Sequence, residues 1–231
     1  MGSIADNLQA VRGRISSAAR AAAREPGAVR LLVVSKTHAP ALIREAYAAG
    51  QRAFGENYVQ EAEEKMTQLA DLPLEWHLVG PLQSNKTRVV AERFHWVHTV
   101  DREKVARRLS EQRPPALAPL EVLVQVNVSG EASKSGVAPR EAPALARAVA
   151  ALPRLRLRGL MAVPEPTPDA QLQRARFREL RGIFESLQRE GLALDTLSMG
   201  MSDDMEAAIA EGSTMVRIGT AIFGRRLKDA A

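Results

Sequence analysis

Lys36 closes the apolar run Leu31-Leu32-Val33-Val34-Ser35, a place where an amine can be held away from water and used chemically. Only six of the 32 basic residues are lysines, so a lysine at a strand end departs from the arginine this chain otherwise uses for charge. Arginine keeps its proton in a protein, whereas a buried lysine can lose it and attack a carbonyl to form a Schiff base. The plain alternative is a lysine snorkelling at the end of a strand. A second set of residues lies far along the chain, in Ser198-Met199-Gly200-Met201-Ser202 and Arg217-Ile218-Gly219-Thr220. Glycines that admit close backbone approach, hydroxyls and nearby helix N-termini together suit an anion such as phosphate. Taken alone, Ser202 reads first as an N-cap, with Asp203 and Asp204 stabilising the helix dipole, and it is the pairing of the two loops in one barrel position that favours the phosphate reading.

Those residues must be positioned by secondary structure, and the apolar periodicity predicts it. Ile4, Leu8, Val11 and Ile15 mark an opening helix from Ile4 to about Arg24, stopped by Pro26-Gly27. Strands are predicted at Val29 to Val34, before Phe54-Gly55-Glu56-Asn57, and at Glu75 to Val79, Phe94 to Val100, Glu121 to Val128, Leu155 to Met161, Thr196 to Ser198 and Thr214 to Ile218. Helices or short helical turns separate them, beginning at Pro40, Val59, Ser84, after Asp101, at Pro139, Asp169 and Ser202. Eight strand–helix units within 231 residues fit a single (β/α)8 TIM barrel spanning 1–231. An open doubly wound sheet is the runner-up, but no Gly-x-Gly-x-x-Gly opens a helix.

A barrel does its chemistry at the C-terminal ends of its strands, and the loops after strands seven and eight often hold phosphate. Lys36, Asn57, His77, Met199, Ser202, Arg217, Gly219 and Thr220 then fall on or near one rim. An amine beside a phosphate site suits a ligand that is both an aldehyde and a phosphate ester, and pyridoxal 5'-phosphate (PLP) is both. Arg217, pointing inward near the end of strand eight, can face the pyridine nitrogen of such a ligand or form an ion pair. His77 reads as a contact of the ring or, more simply, as a hydrogen-bonded core histidine. Asn57 and Asn127 serve either as supporting donors or as turn residues. Lys86 and Lys134 read as solvated lysines in loops near the same rim.

Composition narrows the classes further. With no cysteine there is neither a disulfide framework nor a thiolate nucleophile. The first 14 residues lack the apolar core of a signal peptide and no segment has membrane-spanning length, so the expected location is the cytoplasm. A formal charge of +5 and a pI of about 10.0 raise the question of nucleic acid. The arginines are interleaved with glutamates and only 4% of residues are aromatic, too few for a base-stacking surface, so no nucleic-acid or membrane partner is expected.

The motifs Val34-Ser35-Lys36-Thr37, Phe54-Gly55-Glu56-Asn57-Tyr58-Val59-Gln60-Glu61, Trp76-His77-Leu78-Val79-Gly80-Pro81-Leu82-Gln83-Ser84-Asn85-Lys86, Leu160-Met161, Ser198 to Met205 and Arg217 to Gly224 together resemble the pyridoxal phosphate homeostasis protein family. That family is similar to the N-terminal barrel of alanine racemase. The resemblance implies a barrel of that type with PLP held as a Schiff base on Lys36, phosphate bound by Ser202, Gly219 and Thr220, and Arg217 facing the pyridine nitrogen. It also implies a non-enzymatic carrier or regulator of the cofactor pool, with PLP-dependent apo-enzymes as recipients. His38 stands where relatives often carry a second lysine, which puts cofactor transfer between neighbouring lysines in doubt. The competing expectation is an amino-acid racemase, which needs a base on each face of the substrate carbon. In alanine racemase a tyrosine from the partner subunit's C-terminal domain supplies the second base. This chain ends at Ala231 directly after the eighth unit, so such a domain is not expected, and a lone barrel suggests a monomer. Tyr58 keeps the racemase reading open.

Overall fold

A computed structural model describes residues 2–131 and 135–224, and Lys134 lies outside the described residues. Helix α1 (Ile4–Ala21) opens on a capping box in which Ser3 and Asp6 satisfy each other's backbone N–H groups, and it buries Leu8, Val11, Ile15 and Ala19. After it the strands β1 (Arg30–Val34), β2 (Ala53–Glu56), β3 (Glu75–Leu78), β4 (Trp96–Val100), β5 (Leu120–Gln125), β6 (Leu155–Met161), β7 (Thr196–Ser198) and β8 (Met215–Ile218) form a closed parallel barrel in chain order. Between them run α2 (Pro40–Ala48), α3 (Val59–Gln68), α4 (Thr87–Arg93), α5 (Glu103–Gln112), α6 (Ala142–Ala150), α7 (Ala170–Arg189) and α8 (Met205–Ala210). The short α9 (Thr220–Phe223) follows β8, and α1 completes the outer ring through Asn7, whose Nδ2 donates to Ile222 O. No helix among the described residues is long and apolar enough to cross a membrane.

Alternation along the strands divides side chains between two environments. Residues such as Val33, Phe54, Leu78, Val97 and Leu160 face the helices and form the main apolar layer. Inside the barrel, Leu32, Ala53 and Met215 form one apolar patch and Trp96, Leu123 and Met161 another. His77, His98, Ser198 and Arg217 share that interior, and Arg30 and Glu75 continue the line at its lower mouth, all joined by direct hydrogen bonds. A core that admits so many polar groups must satisfy each of them, because an unpaired buried donor or acceptor costs about 1–3 kcal/mol.

Closure is made by β1, which pairs with β2 on one side and β8 on the other. The register sets Leu32 against Arg217 and Val33 against Ile218, so the ends of the first and last strands meet at the upper rim.

The fold departs from the sequence reading at several element ends. Strand β5 stops at Gln125 rather than Val128, because Asn127 turns the chain by accepting the Ser129 N–H, and Val126 makes only an isolated bridge to Val137. Helix α1 ends at Ala21 rather than Arg24, since Ala23 adopts φ 54° and Arg24 N bonds back to Ala19 O. Helix α6 begins at Ala142 rather than Pro139. Ser202 starts no helix: Asp204 is the N-cap of α8, and its Oδ1 accepts the Met201 N–H at 2.6 Å to close a turn through Ser202 and Asp203. The N-cap reading of Ser202 is therefore corrected, and its hydroxyl belongs to a loop.

Candidate cofactor-binding site

A cavity of about 290 Å³ opens at the C-terminal end of the barrel, lined among others by Lys36, His38, Asn57, Met201, Ser202, Asp203, Arg217, Gly219 and Thr220. Val34, Val79 and Val163 give it apolar walls. Six residues singled out from sequence thus come together: Lys36, Asn57, Ser202, Arg217, Gly219 and Thr220.

Two others do not reach it. Met199 is fully buried in the layer between strands and helices, because Ser198 takes the inward position on β7 and its neighbour must point the other way. Gly200, at φ 98°, then reverses the backbone and brings Met201 to the cavity instead. A Cβ at Gly200 would stand 2.7 Å from the Ala208 Cβ, so glycine is required there on two counts. His77 is also fully buried, below the cavity floor, with Nε2 2.7 Å from Glu75 Oε1 and Nδ1 2.9 Å from His98 Nε2. The core-histidine reading is the one the structure supports.

The backbone on both sides of Lys36 is pinned. Lys65 on α3 is buried, and its Nζ donates to Ser35 O at 2.7 Å, to Glu56 Oε1 at 2.8 Å and to Glu61 Oε1 at 2.6 Å. Ser35 Oγ donates to the same Glu56 oxygen, and Glu61 Oε1 accepts the Thr37 N–H. Thr37 sits at φ 63°, a left-handed conformation costing an L-residue about 1–2 kcal/mol, and the Glu61 bond holds it there. Burial raises the pKa of Glu56, and the Lys65 charge opposes that rise. Glu56 Oε2 has no hydrogen-bond partner among the described residues, so the cluster depends on its single ammonium. None of these partners was identified as a site residue from sequence; the spacing of Glu61 and Lys65, four apart on one helix, was the available signal.

Arg217 forms the cavity floor. Its Nη1 donates to Ser198 O and Ser198 Oγ, both at 2.7 Å, and its Nη2 donates to Ala162 O at 2.8 Å. Among the described residues no carboxylate lies within 4.0 Å of it. Burial lowers its pKa to about 10, with Asp204 pulling the other way, so it stays charged at neutral pH. At the rim, a Cβ on Gly219 would meet Val34 O at 2.9 Å, so this glycine lets β8 and β1 close together beneath the ligand space. Gly219 O accepts from Ile222 and Phe223, which leaves Thr220 and Ala221 N–H groups at the start of α9 without an intrahelical acceptor.

The donor set fits PLP on its chemistry: an amine for an aldehyde, a donor-only guanidinium for a pyridine nitrogen, and hydroxyls with helix-start N–H groups for a phosphate. The buried guanidinium without a carboxylate partner is the sharpest feature, because a floor that only donates calls for an acceptor above it.

Lys65→Met leaves two carboxylates facing each other behind Lys36, and the expected loss in unfolding free energy is about 3 kcal/mol or more by urea titration. The histidines give a pH prediction. Burial lowers the pKa of His77, and that of His98 falls further, while His95, whose Nδ1 accepts the Trp76 N–H, is also lowered by burial. The unfolded chain therefore binds more protons below about pH 6.5, so stability falls as pH falls through that value. Unfolding free energies from urea titrations at pH 7.0 and 5.5 are expected to differ by about 2 kcal/mol in favour of pH 7.0; equal stability would contradict neutral buried rings.

Comparison with known proteins bears on the same site. A family model described as "Alanine racemase, N-terminal domain" matches residues 7–226. The chain is 63% identical over 226 residues to the pyridoxal phosphate homeostasis protein of Pseudomonas aeruginosa, covering 98% of this chain and 97% of that one. It is 56% identical to the Escherichia coli K12 protein of the same name, over 98% of each chain. Among solved structures, PipY of Synechococcus elongatus PCC7942 without PLP superposes with a TM-score of 0.87 at 41% identity, covering 96% of this chain and 100% of that one. The same protein with PLP bound gives a TM-score of 0.84 at 39% identity over the same shares.

Proposed function

The chain belongs to the pyridoxal phosphate homeostasis proteins, within the alanine racemase N-terminal domain family, and we propose that it binds PLP and helps maintain the pool of that cofactor. The observation that carries this reading is one cavity holding Lys36, Arg217 and the Ser202 and Gly219-Thr220 loops together. The cofactor supplies an electrophilic aldehyde, and the Lys36 amine is the group we assign to hold it as a Schiff base. Ser202, Gly219 and Thr220 are assigned to the phosphate, where hydroxyls and N–H groups at the start of α9 favour an anion. Arg217 is assigned to the pyridine nitrogen.

Holding rather than turnover is supported by the character of the floor. A charged guanidinium in that place would donate a hydrogen bond to the pyridine nitrogen and compete with its protonation, which would weaken the electron withdrawal that amino-acid chemistry on this cofactor needs. The role we propose is therefore a carrier or regulator, with PLP-dependent apo-enzymes as recipients.

The absorption spectrum tests the assignment. Protein incubated with PLP and freed of excess is expected to keep a violet-region band, and Lys36→Ala is expected to lose it. A band retained by the variant would reject Lys36, and a wild type left colourless would reject PLP binding.

A further inference from the structure

A continuous line of hydrogen bonds crosses the interior of the barrel from its lower mouth to the cavity floor. Arg30 Nη2 lies 2.8 Å from Glu75 Oε1, His77 Nε2 lies 2.7 Å from the same oxygen, and His77 Nδ1 lies 2.9 Å from His98 Nε2. His98 Nδ1 lies 3.0 Å from Ser198 Oγ, which lies 2.7 Å from Arg217 Nη1. His77, His98 and Ser198 are wholly buried.

The direction of every bond follows from the two ends. Arginine only donates, so Ser198 Oγ accepts from Arg217 and turns its own hydrogen towards His98 Nδ1. His98 Nδ1 is then an acceptor, and the ring carries its proton on Nε2 and donates to His77 Nδ1. His77 in turn carries its proton on Nε2 and donates to Glu75. At that end Glu75 accepts from His77 and from Arg30, and although burial alone would raise its pKa, these partners hold it at about 2, so it is a carboxylate. Both rings are neutral in this scheme, in keeping with the downward shift that burial gives each. A flip of either ring would set two donors or two acceptors face to face inside the barrel.

We infer that Glu75, His77, His98 and Ser198 are positioning residues that hold Arg217 in one orientation as a hydrogen-bond donor to the ligand above it, with the Arg30–Glu75 pair at the far mouth as the anchor. The inference rests on PLP as that ligand. Ser198 is the joint, because its hydroxyl and carbonyl both receive Nη1 of Arg217. Rotation of the guanidinium away from the cavity would break the line at Ser198 and leave its Oγ without the donor it accepts from. The chain thus fixes the angle at which the floor meets the ring nitrogen, a property that the cavity residues do not set by themselves.

Two spectra test it. In cofactor-free protein labelled with nitrogen-15 in histidine, long-range proton–nitrogen correlations at pH 7 are expected to show both His77 and His98 neutral and protonated on Nε2. A cationic ring, or one protonated on Nδ1, overturns the chain whether or not PLP binds. With PLP labelled at its ring nitrogen, Ser198→Ala is expected to displace that resonance and weaken PLP binding about fivefold, as for one hydrogen bond. Glu75→Gln keeps an acceptor but removes the charge, and is expected to move the resonance the same way by less. If Ser198→Ala does not fold, Glu75→Gln decides alone. A ring-nitrogen resonance unmoved in a folded variant overturns the inference, since a merely structural role predicts that outcome. Failure of the wild type to take up PLP would reject the proposed function, and the histidine spectrum would still decide the chain.

Discussion

The site depends on β1 hydrogen-bonding to both β2 and β8, which closes the barrel. Lys36 and Arg217 are 181 residues apart by their numbers, and only closure makes them neighbours on one rim. The register then does the finer work. Leu32 opposite Arg217 puts the guanidinium one layer below the strand ends, and Gly219, two residues on, lets β8 approach Val34 O where a side chain would not fit. An amine at the rim above a cation on the floor follows from that geometry.

Buried polar groups have to be satisfied where they sit, whether inside the barrel or between strands and helices, and this chain uses the need to position its site. Two clusters do so in different ways. Behind Lys36, one ammonium holds two carboxylates and a carbonyl, and with them the strained turn at Thr37. Beneath Arg217, neutral groups relay hydrogen-bond direction from a carboxylate at the opposite mouth. The first cluster stakes stability on charge balance, since removing its cation leaves buried like charges. The second avoids burying net charge in the middle of the barrel and keeps it at the two ends.

Much of the fold was legible because eight apolar strands alternate with amphipathic helices in one order, and a parallel barrel follows from that order. That Lys36, Asn57, Arg217 and Gly219 would line one cavity was legible because strand ends define the rim. Ser198 and His98 were not, since they are 100 residues apart and nothing local marks them as partners. Lys65 was not legible either, because a Glu–Lys spacing of four on a helix is the same for an exposed pair and a buried one. Met199 was misplaced by one residue: alternation puts it outward, and only the left-handed Gly200 shows that Met201 returns to the cavity. Strand and helix ends drifted for a similar reason, because turns such as that at Asn127 are set by side-chain hydrogen bonds that apolar periodicity does not carry.

The central claim is that Lys36 is the group that takes the aldehyde. Borohydride reduction of the PLP-loaded protein converts a carbon–nitrogen double bond into a stable amine, and peptide mapping by mass spectrometry then locates it. A phosphopyridoxyl group on the peptide carrying Lys36 is the expected result. Modification confined to other lysines, with Lys36 unmodified, would contradict it.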